Sequence, residues 1–134
     1  MLSGQTPERV WNTRRTEKQR RLASVPVQGK VLPTDDLVAM LEKLIAPGDK
    51  VVLEGNNQKQ ADFLSRALAS VNPQKVHDLH MIMPSVGRSE HLDIFEKGIA
   101  HKLDFSFSGT QSLRISQLLE DGLLEIGAIH TYIE

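Results

Sequence analysis

Lys50-Val51-Val52-Leu53-Glu54-Gly55-Asn56-Asn57-Gln58-Lys59-Gln60-Ala61-Asp62-Phe63-Leu64 is the stretch that decides how the chain is read. A short apolar run, a polar turn and a helical start follow one another. In open α/β sheets, ligands bind outside the carboxyl ends of the strands, where such turns lie. Gly55 permits a sharp turn or a close backbone approach. Asn56, Asn57 and Gln58 supply side-chain amides, each both donor and acceptor. The first N–H groups of the following helix are free to meet an anion or a carbonyl oxygen. A plain strand-to-helix connection, with Asn as turn and cap residue, explains the same letters without a ligand.

The same pattern recurs on either side. Upstream, Thr34 suits an N-cap, and Asp35 and Asp36 suit the positive end of a helix. Leu37, Val38, Leu41, Leu44 and Ile45 then form one apolar stripe, and Pro47-Gly48 stops the helix. Downstream, Phe63, Leu64, Ala67, Leu68 and Val71 are expected inward on the next helix. Val76 to Met83 reads as a strand, Ser89 caps a short helix closed by Gly98, and Leu103 to Phe107 alternates as a strand does. Ile115, Leu118 and Leu119 face inward on a helix ended by Asp121-Gly122, and a last strand runs from Leu124 toward Ile133. Strands are therefore expected at roughly 50–54, 77–83, 103–107 and 124–130, each preceded by a helix. Such alternation predicts an α/β fold: a three-layer, open, mainly parallel sheet with flanking helices, Rossmann-like in architecture. The chain stops at its last strand, so the sheet is expected to be incomplete at the C-terminus.

Residues 1–30 differ from the rest and are read as an N-terminal basic arm and linker, with residues 31–134 as the α/β domain. Trp11 to Arg21 is basic and nearly without aliphatic residues, so a helix there has no continuous apolar face. Trp11 is the natural anchor of an arm that packs on a partner or on another part of a larger protein, since Trp and Arg are enriched at interfaces. The stretch Val25-Pro26-Val27-Gln28-Gly29-Lys30 reads as linker.

Composition narrows the function classes. The chain has 134 residues, enough for one domain with a core. Its formal net charge is −1 with 25% charged residues, which argues against a general polyanion binder and predicts no nucleic-acid partner. There are no cysteines, so disulfides, thiolate catalysis and cysteine-ligated metals are excluded. No apolar h-region and no membrane-length apolar run occur, so no membrane association and a cytoplasmic location are expected.

Candidate chemistry lies at strand ends. His130 follows an apolar strand and is the candidate catalytic residue, as a general acid or base or by orienting a carbonyl. Ser106, Ser108 and Gly109 lie at another strand end and suit an oxyanion or phosphate. His77 and His80 are three apart on a strand, point to opposite faces and are read as structural. His91 and His101 are read as solvated surface residues, and Glu54 as a solvated strand terminus. No metal site is expected. No G-x-S-x-G elbow, P-loop or dinucleotide fingerprint occurs.

Several long blocks carry a resemblance: Trp11-Asn12-Thr13-Arg14-Arg15, Pro33 to Val38, Leu53 to Leu64, Val76 to Met81, Leu103 to Gly109 and Glu125 to Tyr132. Together they resemble the N-terminal part of the malonate decarboxylase alpha subunit, a family similar in fold to the CoA transferases and the citrate lyase alpha subunit. The resemblance implies an acyl-carrier-protein transferase that exchanges acetyl for malonyl on a carrier thioester. It implies no cofactor bound by this chain and a dephospho-CoA-derived prosthetic group on a partner acyl carrier protein. The other implied partners are the decarboxylase subunits, with malonate and the acetyl thioester as substrates. On the residues themselves, Gly55, Asn56, Asn57, Gln58, Ser108 and Gly109 are the candidate thioester-binding set, since oriented N–H donors at strand-end turns suit a thioester carbonyl. In the covalent CoA transferases the first strand-to-helix turn is rich in glycine, whereas here it is rich in amides. A carboxylate nucleophile of their kind would lie outside this segment, and the lyase-like branch implies direct exchange through an anhydride. Two other readings stay open on the residues alone: a non-catalytic scaffold segment, and an unrelated nucleotide- or phosphate-binding α/β module.

Overall fold

The computed structural model describes residues 6–25, 27, 29–54, 61–107 and 109–129. Helix α1 (Pro7–Ala23) leads to a short 3-10 turn at Thr34–Asp36 and helix α2 (Leu37–Leu44). Strand β1 (Lys50–Val52) and helix α3 (Asp62–Leu68) follow, then β2 (Leu79–Ser85), α4 (Glu90–Glu96), β3 (Ala100–Phe107), α5 (Ser112–Glu120) and β4 (Glu125–Ile129). The four strands form one parallel sheet in the order β1-β2-β3-β4. The expected α/β sheet is therefore present, with strand order equal to chain order.

That order fixes where the helices go. Parallel neighbours need a crossover, and crossovers are right-handed, so a sheet that always advances the same way returns every helix over one face. Accordingly α2 packs on α3, α3 on α4 and α4 on α5. Beneath them lie Leu53, Leu79, Met81, Met83, Leu103 and Phe105, all buried, with Leu92, Ile94, Phe95, Ile99, Ile115 and Leu118 from the helical side. Burying one such side chain is worth about 1.5–3 kcal/mol, so this layer supplies most of the stability. Of the three layers expected, the described residues build two: the sheet and one row of helices.

The opposite face carries the alternate residues. Val52 is 68% exposed, and Ile82, Pro84 and Ser106 are half-buried. A polar band crosses it. His80 Nε2 lies 2.9 Å from Asp104 Oδ1, although it is not aligned as a hydrogen bond, and Lys102 pairs with Glu125 at 3.2 Å.

Two bulges interrupt the ladder. Between β2 and β3, Leu79 pairs with Ala100 but His80 with Lys102, so His101 is an extra residue. It resets the alternation, which lets both Ala100 and Leu103 face the helices. Between β3 and β4, Leu103 pairs with Ile126 but Phe105 with Ile129, so two residues of β4 oppose Asp104. There the Asp104 carboxylate accepts the Ala128 N–H at 2.9 Å, standing in for the missing backbone acceptor.

Several expectations are corrected. Phe63 and Leu64 do not face inward: they are 47% and 44% exposed, and α3 buries Ser65, Ala67 and Leu68 instead. The Ser65 hydroxyl is tolerated there because it donates to the Ala61 carbonyl at 2.7 Å. Thr34 opens a 3-10 turn rather than capping α2. His77 and Asp78 precede β2, paired with each other at 2.8 Å and exposed, with Asp78 at φ 54°. Val25, read as linker, is buried. Helix α1 buries none of its residues, as its composition predicted. It is held by Lys18, whose ammonium binds the Leu44 carbonyl at the end of α2 (2.9 Å) and the Asp49 carboxylate.

At the second bulge Gly127 leaves room for the Asp104 carboxylate. A Cβ at this position would overlap Asp104 Oδ1 and come within 2.7 Å of Lys102 Cε. Gly127→Ala is expected to displace the carboxylate from Ala128 and lower stability by about 1–3 kcal/mol. Gly87→Ala, whose nearest contact would be 3.8 Å away, should be close to neutral. Urea midpoints of the two variants check this, and an unchanged midpoint for Gly127→Ala would refute the bulge's dependence on glycine.

Candidate functional site

Because all four strands run the same way, their carboxyl ends share one rim. Leu53 and Glu54 follow β1, with the Leu53 N–H donating to the Ile82 carbonyl at 3.0 Å. Val86, Gly87, Arg88 and Ser89 connect β2 to α4, and Gly109–Gln111 connects β3 to α5. No strand order reverses within these four strands, so the crevice where ligands usually sit is not bounded on both sides by them. Among the described strands β1 is an edge.

Of the residues expected to bind the thioester, Gly55, Asn56, Asn57, Gln58 and Ser108 lie outside the described residues, as does His130. Gly109 is described. It is exposed, takes φ 50°, and begins the short 3-10 turn that leads into α5. Its carbonyl accepts the Ser112 hydroxyl at 2.8 Å, which holds the turn to the helix. Ser106 is half-buried at the end of β3 on the open face. Glu54 is exposed.

The structure adds residues that the sequence reading passed over. Arg66 on α3 reaches Asp62 at 2.9 Å and Glu90 on α4 at 3.4 Å. This ties the first turn of α3 to the first turn of α4. The Asp62 carboxyl is kept below its ordinary range chiefly by Arg66, and the Glu90 carboxyl chiefly by a backbone N–H at the start of its own helix. Arg88 lies two residues before Glu90, in the turn between β2 and α4. Among the described residues of the strand-end turns it is the one basic side chain; it is exposed and makes no ion pair with the described residues. Only its position after a Pro-Ser-Val-Gly turn could have marked it in the sequence.

His91 corrects an expectation. It is 2% exposed rather than solvated, and neither ring nitrogen has a partner. Burial pushes its pKa down, with the field of Arg88 in the same direction and those of Glu90 and Asp62 opposing. The neutral ring therefore fills space in the core behind the rim. His77 and His80 share no ligand, and no group of metal-binding side chains occurs among the described residues. No described helix is long and apolar enough to cross a membrane.

This architecture, a parallel sheet under a single row of helices, is that of an open α/β domain. The sequence family described as "Malonate decarboxylase, alpha subunit, transporter" matches residues 10–134, and the chain belongs to that family. An acetyl-S-ACP:malonate ACP transferase from Malonomonas rubra is 45% identical over 130 residues, covering 95% of this chain and 24% of the relative. A crystal structure of a malonate decarboxylase alpha subunit from Acinetobacter baumannii superposes with a TM-score of 0.86 at 73% identity, covering 92% of this chain and 23% of that one. A Pseudomonas malonate decarboxylase hetero-tetramer, solved in complex with malonate, gives 0.87 at 75% identity, covering 96% and 24%. The chain thus spans about a quarter of the length of these relatives.

The buried histidine gives a pH test. A base whose folded pKa is depressed binds fewer protons folded than unfolded, so stability is full above the unfolded value of about 6.5 and is lost as pH falls toward the folded value. The unfolding midpoint should drop between about pH 7 and pH 5, and His91→Leu should flatten that drop. Equal pH slopes in both proteins would assign the loss to another group.

Proposed function

We propose that this chain is a section of an alpha subunit that exchanges acetyl for malonyl on the thioester of an acyl carrier protein. The observation that carries the reading is 45% identity, across nearly the whole chain, with an acetyl-S-ACP:malonate ACP transferase. Malonate and the acetyl thioester are the substrates. The carrier, with its dephospho-CoA-derived arm, and the decarboxylase subunits are the partners. This chain binds no cofactor of its own, and the complex works in the cytoplasm.

The chemistry makes definite demands. One malonate carboxylate attacks the acetyl thioester carbonyl, giving a mixed anhydride and the carrier thiolate. The thiolate then attacks the malonyl carbonyl, and acetate leaves. Each attack places charge on a carbonyl oxygen, for which N–H donors at strand-end turns are suited. Gly55, Asn56, Asn57, Gln58, Ser108 and Gly109 are the proposed donors, and His130 the proposed general acid or base. The second malonate carboxylate takes no part in bond making and needs a fixed counter-charge. Arg88 is assigned that role, since it makes no ion pair with the described residues and a guanidinium grips a carboxylate through two parallel hydrogen bonds.

The test uses the full-length parent in its complex, with acetyl carrier and labelled malonate. Label should appear on the carrier, and absence of label would end the transferase reading. In the same assay Arg88→Gln should raise KM for malonate about tenfold, the equivalent of about 1.4 kcal/mol, with a smaller effect on kcat. Arg88→Lys should recover part of the loss. An unchanged KM would remove Arg88 from the site while leaving the transferase reading intact.

A further inference from the structure

Helix α1 presents a face that the exchange reaction does not use. Trp11, Arg14, Arg15 and Lys18 recur at i, i+3, i+4 and i+7, so they share one side of the helix. With Asp49 and Lys50 of the body they line a notch of about 410 Å³. It lies at the amino end of β1, across the sheet from the rim of strand-end turns. Lys18 is committed to Leu44 and Asp49. Arg14, Arg15 and Lys50 are exposed and make no ion pair with the described residues, and Trp11 is 69% exposed.

Charge is segregated in the same way. Residues 7–23 hold six Lys or Arg against two Glu, a formal charge of +4 in a chain whose net charge is −1. One of those two, Glu17, is already engaged: hydrogen bonds from Arg20 and then Arg21 hold its carboxyl down to about 2. It offers nothing to Arg14 or Arg15. An indole flanked by three free cations matches a surface that presents carboxylates around an apolar side chain, because cations steer and orient while the aromatic ring supplies the buried area.

We propose that this notch is a docking site for an acidic segment of a different subunit, with Trp11 as the buried anchor and Arg14, Arg15 and Lys50 as its charged border. A different subunit, rather than a second copy, is the occupant because a relative 75% identical to this chain was solved within a hetero-tetramer. The inference rests on the multisubunit reading above.

The experiment co-expresses the full-length parent with the other subunits of its complex and measures assembly by sedimentation velocity at low and high salt. Two variants are compared, Trp11→Ala and the pair Arg14→Glu with Arg15→Glu. Lys18 is left alone because it holds α1 to the body. The charge-reversal pair should weaken subunit association at least tenfold at low salt, with the gap to the unsubstituted protein closing as salt rises. Trp11→Ala should weaken it at both salts. The circular dichroism and unfolding midpoint of the free subunit should be unchanged, because α1 buries no side chain. Assembly of both variants with unaltered affinity would overturn the proposal. So would loss of a self-associated form in place of the mixed complex, which would make a second copy the occupant. Failure of the unsubstituted parent to bind any subunit would overturn the multisubunit reading itself, and this inference with it.

Discussion

Parallel strands cannot be joined by tight turns, and every other feature of the molecule follows from that constraint. Each return costs a helix, each helix crosses with the same hand, and four strands laid down in chain order put α3, α4 and α5 in one row. The apolar residues of β2 and β3 that face this row are almost fully buried. Their alternates face the other way and carry a mixed surface of valine, isoleucine, proline and paired charges. Parallel sheets are rarely left with one face bare. The exposed Val52 and half-buried Ile82 therefore belong to a sheet made to be covered, in keeping with relatives about four times as long.

The same constraint gathers the connecting turns. Arg66 spans the starts of α3 and α4, the helices that follow β1 and β2. A second clasp lies further along the helical row, where Arg114 on α5 binds Asp93, Glu96 and the Ser89 carbonyl. Both clasps sit at the surface, where an isolated ion pair contributes about 0–1 kcal/mol. Their value is geometric: they fix the helices whose first turns frame the rim. Arg66 and Arg114 are thus committed to structural pairs, whereas Arg88, the one basic residue of the described turns, makes no ion pair with the described residues. That contrast, rather than exposure alone, makes Arg88 a candidate for substrate.

Much of this was legible in the letters. Four apolar runs separated by helical stripes gave a parallel α/β sheet, and Gly98 and Gly122, both at positive φ, ended helices where they were expected to. What failed did so for physical reasons. In a helix as short as α3 two apolar stripes compete. The one containing Ser65 wins because a serine can satisfy its hydroxyl on its own backbone, leaving Phe63 and Leu64 outside. His91 lies beside Glu90 and close to Arg88 in sequence and reads as surface, yet the helix turns it against the core. The bulges at His101 and Gly127 break the two-residue period that strand reading relies on. The Arg66–Glu90 bridge joins residues 24 apart, which no local pattern reveals. A lone arginine in a turn reads as solvated, so Arg88 was passed over.

Strand order equal to chain order also bears on how the molecule is made. As the polypeptide leaves the ribosome, β1 is available before β2, and β2 before β3. Among the four described strands, each new strand meets a partner already synthesised. Sequence-local pairing of this kind keeps contact order low for a parallel sheet and lowers the entropic barrier to folding. The sheet can grow vectorially from its first edge during synthesis, with the helical row closing over it one crossover at a time.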